Sequence, residues 1–289
     1  MRKISVIVLT LIMIISFSSC EKEGIYNPKR KISKIYVEAK TIEKYLVEEW
    51  SWDDNKLVKI EFPNRVNPED DSYQLFEYDG NLISTVTNSD GTKIIFTYSG
   101  KELTNVKYTF GDEILEDYEI IHSKNKISKI IITRNYDYLR NYDIKFSPLY
   151  FLFPRHIADV MQNKRMEDSS LKSISEFSKV TTITLTWDGN NPQKITEESM
   201  EYFGQYFLYL EFNYDKNYSP FSGFFLDEFY GLSKNNCTYI KSTNSANENV
   251  FETYNEYTFT SGSKFPIECY QHYSMNNSIY IRTFYEYLD

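Results

Sequence analysis

The chain has 289 residues, 32 Lys and Arg against 41 Asp and Glu, a formal charge of −9 and an aromatic share of 17%. A mean hydropathy of −0.50 excludes a polytopic helical membrane protein, and a pI near 5.1 without clustered Lys and Arg argues against a nucleic-acid-binding face. The abundance of Tyr (26) and Phe (20) supplies a core and favours strands over helices.

In chain order, the first element is an address. Arg2 and Lys3 precede an apolar run from Ile4 to Ile15, shorter than the roughly 20 residues of a membrane span and suited to the core of a secretory signal. Ser18 and Ser19 then lead into Cys20, which resembles the lipobox of bacterial lipoproteins despite Phe17 standing where Leu is usual. The resemblance implies a signal peptide over 1–19, acylation of Cys20, a lipidated tether over 20–24 and a partner membrane. An ordinary signal peptide with an incidental Cys20 is the alternative. Removing residues 1–19 leaves 30 basic against 41 acidic side chains, a balance of −11.

From residue 25 onward one pattern recurs. Trp50 and Trp52 are followed by Asp53, Asp54, Asn55 and Lys56, then Leu57 and Ile60. The same order returns at Phe76/Tyr78, Phe96/Tyr98, Ile120/His122 and Leu185/Trp187, and more weakly at Phe212/Tyr214 and Tyr257/Phe259. Residues at −2 and 0 share one face of a strand because side chains alternate with period two. Asp, Gly, Asn and Ser form the turn, and the apolar residues at +5 and +8 lie on the returning strand. Each copy is therefore a β-hairpin with one buried face. Successive copies at Trp52, Tyr78, Tyr98 and His122 lie 26, 20 and 24 residues apart, the length of two strands with connections. Residues 31–35 and 126–130 read identically as Lys, Ile, Ser, Lys, Ile. The expected fold is mainly all-β: a curved antiparallel meander of repeated hairpins over 25–289, open or partly closed into a barrel.

A break falls between about Asn135 and Lys179. Pro154 with Ile157, Val160 and Met161 suits the start of a small helical insert, about 154–178, packed on the sheet or lying over a cleft. Beyond it the repeat resumes at Leu185.

The copies resemble the YD-type repeats of bacterial surface proteins. The run Tyr214, Asp215, Asn217, Ser219, Pro220, Phe221, Ser222 and Gly223, with Leu232 to Asn236 after it, resembles the closing region of a family of Bacteroidetes extracytoplasmic lipoproteins of unknown function. That resemblance spans Ile25 to Leu288 and implies an outer-membrane lipoprotein on the periplasmic or cell-surface side, with no established activity and no catalytic residues to carry over.

Chemistry-bearing residues are few. Cys237 and Cys269, 32 residues apart, suit either a disulfide between neighbouring hairpins or two buried thiols. No metal or cofactor motif is present. Of His122, His156 and His272, the first occupies a repeat core position and reads as a packed side chain. No nucleotide-binding or hydrolase motif occurs. On the strand ending at Tyr214, alternation sets Phe203, Gln205, Phe207, Tyr209, Glu211 and Asn213 on the face opposite Leu208, Leu210 and Phe212, a candidate platform for a glycan or peptide. The sequence therefore favours a non-catalytic binding or interaction module of the cell envelope. A glycosidase-like enzyme with paired carboxylates, and a structural partner of an outer-membrane protein complex, are the alternatives.

Overall fold

The computed structural model describes residues 28–64, 67, 71–135, 148, 180–201, 204–222, 234–244, 248–274 and 276–288. Its strands are β1 (Ile32–Ala39), β2 (Ile42–Asp53), β3 (Lys56–Phe62), β4 (Ser72–Asp79), β5 (Leu82–Asn88), β6 (Thr92–Ser99), β7 (Glu102–Phe110) and β8 (Glu113–Ser123). They continue as β9 (Lys126–Arg134), β10 (Val180–Asp188), β11 (Asn191–Glu201), β12 (Gly204–Tyr218), β13 (Asn235–Asn244), β14 (Asn249–Phe259), β15 (Pro266–Tyr273) and β16 (Asn276–Tyr287). Each pairs antiparallel with its sequence neighbours, and β16 pairs with β1, so the sheet closes into a sixteen-stranded barrel. The meander of hairpins is thus complete rather than partial. The expected helix near 154–178 lies outside the described residues. Strands β9 and β10, on either side of that segment, pair directly, Thr133 opposite Val180.

The repeat has a stereochemical basis that hydrophobicity alone does not convey. In five hairpins the residue at position 0 pairs with that at +5: Trp52 with Leu57, Tyr78 with Ile83, Tyr98 with Leu103, His122 with Ile127 and Trp187 with Pro192. A register shift precedes position 0 each time, a bulge that interrupts the ladder of backbone hydrogen bonds. The position-0 side chain of the next repeat reaches across to the +5 carbonyl beside the interruption. Tyr78 Oη donates to Leu57 O at 2.9 Å, Tyr98 Oη to Ile83 O at 2.9 Å and Trp187 Nε1 to Ile127 O at 2.6 Å. His122 Nε2 lies 2.8 Å from Leu103 O, so an imidazole serves where the other copies have a phenol or an indole. Nearer β1 the bonds continue with a change of position: Tyr257 Oη, at −2 of its copy, donates to Cys237 O, and Tyr287 Oη donates to Pro266 O.

Closure uses the same unit. Ile32 on β1 pairs with Tyr287 on β16, with a register shift beside Ile32, and Trp52 Nε1 donates to Ile32 O at 2.7 Å. Tyr287 and Ile32 therefore occupy positions 0 and +5 of an eighth hairpin whose two strands lie at opposite ends of the barrel sequence and have no turn between them. The identity of 31–35 with 126–130 is the returning half of that hairpin. In both, the two isoleucines are fully or almost fully buried: Ile32, Ile35, Ile127 and Ile130.

In these five hairpins two-residue turns join positions +1 and +4 at one rim, here called the foot. At β8–β9 both turn residues, Lys124 and Asn125, have positive φ (54° and 60°), the geometry that matches strand twist in a tight hairpin. The inward side chains form one core that includes Ile60, Val86, Val106, Ile130, Ile183, Leu210 and Ile240.

Cys237 and Cys269 are two free, buried thiols rather than a disulfide. They sit on β13 and β15 with β14 between them; Cys269 pairs with Tyr257 of that middle strand. Two inter-strand spacings separate the cysteines by roughly 9–10 Å, beyond the ~7 Å that a disulfide spans without backbone movement.

Candidate ligand-binding face

The inward and outward faces of the barrel have opposite chemistry. On β6, Thr92, Ile94 and Phe96 are buried while Lys93, Ile95 and Thr97 are exposed; on β8–β9 the outward positions include Glu119, Ile121, Lys129 and Thr133. A membrane-spanning barrel carries an uninterrupted apolar band outside and a polar interior. Here charges punctuate the outer wall and aliphatic residues fill the inside. Sixteen strands can enclose an aqueous channel, yet Val86, Val106, Tyr108, Ile130 and Ile183 are at 0% exposure.

Polar groups inside the barrel form bonded sets away from the foot. Arg134 Nε meets Glu116 Oε1 at 2.9 Å, Arg134 Nη1 donates to Thr181 Oγ1 at 2.6 Å, and Tyr118 Oη donates to Glu116 Oε2. Gln74 Nε2 donates to Asn88 Oδ1 and Asn88 Nδ2 to Thr92 Oγ1. These bonds offset the cost of burying polar atoms and align adjacent hairpins. Among the described residues no group of His, Cys, Asp and Glu is placed to hold a metal ion.

The outward platform on β12 comes out as alternation requires. Leu208, Leu210 and Phe212 are buried, and Phe207, Tyr209, Glu211 and Asn213 lie on the outer wall. Phe207 and Tyr209 hold their rings parallel within 5°, centroids 6.0 Å apart, and Glu211 pairs with Lys194 at 2.6 Å. Phe203 and the side chain of Gln205 lie outside the described residues, as does Cys20.

Sequence reasoning confined to one strand missed the larger surface. Asn213 pairs with Tyr239, Tyr239 with Tyr254, Tyr254 with His272, and His272 with Tyr280. A row of rings thus crosses β13 to β16 on the outside. Centroids are 5.1 Å apart for Tyr239–Tyr254 and 5.4 Å for Tyr254–His272, the latter pair stacked at 16°. Tyr270 widens the row, 5.7 Å from His272 and 5.5 Å from Tyr280. Rings that stack on one another occupy each other's faces and leave edges and tyrosine hydroxyls for a ligand, while Nδ1 of His272 is buried. Beside them Arg282 bonds Glu268 at 2.6 Å and Glu38 at 3.3 Å, and its guanidinium lies 5.2 Å from the centre of Phe284. The signal for this row was present as Tyr239, Tyr254, Tyr270 and Tyr280, but only register brings them together.

The fold is an all-β, closed antiparallel barrel whose interior combines an apolar core with hydrogen-bonded polar sets. Among solved structures it is similar to a porin-like protein from Bacteroides vulgatus ATCC 8482, at 11% identity and a TM-score of 0.55, covering 90% of this chain and 99% of that one. It is also similar to a porin-like protein from Bacteroides uniformis ATCC 8492, at 10% identity and a TM-score of 0.50, covering 92% of this chain and all of the other. No protein-family model matches the sequence, and no curated protein matches it. At these identities the likeness is one of fold.

Proposed function

We propose that the protein is an envelope lipoprotein of the outer membrane, anchored through Cys20, that works as a non-catalytic binding module for a glycan or peptide. The observation that carries this reading is the outward aromatic row Tyr239–Tyr254–His272–Tyr280, continuous through Asn213 with the β12 platform. Closure removes every sheet edge, so a ligand cannot bind by adding a strand and must lie on the wall or a rim. A rigid wall holds side chains in fixed positions, which lowers the entropy lost on binding. The tyrosines supply hydroxyl groups for hydrogen bonds to sugar hydroxyls or peptide amides, and His272 supplies ring surface between them.

The test is calorimetric titration of the mature chain with oligosaccharides of glucose, mannose and N-acetylglucosamine and with a tyrosine-free peptide panel. The expected result is binding by at least one probe that Tyr254→Ala with His272→Ala weakens tenfold or more. Binding unaffected by this pair, or no binding by any probe, defeats the wall as the site. The anchor is tested separately: Cys20→Ala should abolish incorporation of labelled fatty acid and leave unprocessed precursor.

A further inference from the structure

The chain is acidic overall, yet its foot beside the β16–β1 seam is basic. Lys29, Arg30 and Lys31 precede β1 there, and Lys234 and Lys264 approach the same place from the β12–β13 and β14–β15 connections. Backbone bonds knit these segments together: Lys29 N to Ser222 O at 3.3 Å and Tyr218 N to Lys264 O at 3.1 Å.

The cations surround a small aromatic cluster. Tyr218 and Phe265 stack with centroids 5.4 Å apart, and Phe265 meets Tyr287 edge-on at 6.3 Å. Arg30 lies 4.9 Å from the centre of the Tyr287 ring and Lys234 lies 5.7 Å from that of Tyr218. The nearby carboxylate of Asp215 is turned to its own neighbours, accepting from Asn217 N at 2.8 Å and Asn236 Nδ2 at 3.0 Å. Basic side chains interleaved with Tyr and Phe suit the headgroup layer of a bilayer, where amphipathic rings and Lys or Arg gather.

Under the anchor reading, the tether leaves from this same rim. Ile32 begins β1 at the foot, twelve residues after Cys20. Even fully extended, that chain spans about 40 Å, so an acylated Cys20 would hold the foot within that distance of the bilayer.

We propose that the foot is a second, electrostatic contact with the membrane: Lys29, Arg30, Lys31, Lys234 and Lys264 dock on an anionic lipid surface, and the aromatic wall stands upright above it. The orientation rests on the anchor reading, whereas the docking contact is testable without it.

The experiment uses the mature-length chain with Cys20→Ser, which carries no lipid, and vesicles of phosphatidylcholine with or without about a third phosphatidylglycerol. Co-sedimentation should show binding only to the anionic vesicles, falling as salt rises. With about a fivefold contribution from each cation near the surface, Lys29→Glu, Lys31→Glu and Lys264→Glu together should weaken binding by at least on the order of 100-fold, the loss expected from removing three charges, and by more because each is reversed. The control is the outer-wall triple Lys93→Glu, Lys107→Glu and Lys129→Glu, which alters net charge equally and should retain most of the binding. Circular dichroism melts establish that both variants fold; if the foot triple does not, Lys29→Gln with Lys264→Gln replaces it. Equal loss in both triples, or no binding to anionic vesicles, overturns the docking surface, whereas unchanged fatty-acid labelling after Cys20→Ala overturns only the anchor.

Discussion

Replacing Tyr98 with Phe removes one oxygen atom and tests whether the repeat is held by tethers or by apolar packing alone. The Tyr98 hydroxyl donates to Ile83 O at 2.9 Å, and Ile83 is 1% exposed, so water is poorly placed to take over. Leaving a buried carbonyl without its donor costs about 1–2 kcal/mol. For a chain of this size that lowers Tm by roughly 2–4 °C. The comparison is Tyr36→Phe, whose hydroxyl lies 3.4 Å from Glu286 on the exposed wall and whose loss should cost less than about 0.5 kcal/mol. Urea unfolding followed by far-ultraviolet circular dichroism measures both. The tethers of Tyr78 and Tyr257 lie far apart around the barrel, so their Phe variants should combine additively. If Tyr98→Phe melts with the parent, or costs no more than Tyr36→Phe, the aromatic at position 0 is a packing residue and the tether account is wrong.

Cys237 and Cys269 should resist a water-soluble thiol reagent at pH 8 and react together on unfolding, since burial pushes both thiols up, Cys269 to about 12; a cross-linked 237–269 peptide in the non-reduced protein refutes this. Burial likewise raises the phenols of Tyr98, Tyr108, Tyr214, Tyr257 and Tyr287. The unfolded chain releases those protons near pH 10 while the folded barrel keeps them, so stability falls as pH rises beyond about 10. Tyrosinate absorbance from these five should therefore appear only with unfolding, and early titration in the folded state contradicts it. Joining Leu288 to Lys31 through Gly-Asn and opening the chain between Gly100 and Lys101 should give a permuted barrel with a cooperative melt, because Leu288 N already donates to Lys31 O at 2.9 Å as in a turned hairpin; a molten product refutes the eighth repeat.

The strands and their buried faces were legible because each hairpin is local: period-two alternation and a two-residue turn fall within about twelve residues. On β12, alternation alone set Leu208 and Leu210 inside and Phe207 and Tyr209 outside. What was not legible is whatever depends on neighbours brought together by register. The Tyr239–Tyr254–His272–Tyr280 row draws one residue from each of four strands, and no window along the chain holds it. The same limit left the cysteines open, since counting 32 residues does not reveal that an entire strand stands between them. The position-0 aromatic was read as apolar when its polar atom mattered as much as its ring. His122 is the informative case: an imidazole is a poor substitute for Tyr as a hydrophobe, but it supplies a ring nitrogen for the Leu103 carbonyl.

Closure follows from the repeat more directly than length suggests. The hairpins at Trp52, Tyr78, Tyr98, His122 and Trp187 each offer a ring donor or nitrogen at position 0, and four of them leave a +5 carbonyl that the next copy meets, so an open row would break this chain of tethers at its ends. Bringing β16 beside β1 uses Tyr287 and Ile32 as one more copy, with Trp52 meeting the Ile32 carbonyl. The apolar face of each strand sets the polarity of the result: Ile, Leu and Val gather inside, while the outer wall mixes Lys, Glu and Thr with exposed aliphatics such as Ile95 and Ile121. The membrane contact proposed above is accordingly one added at a rim, by the basic cluster at the foot.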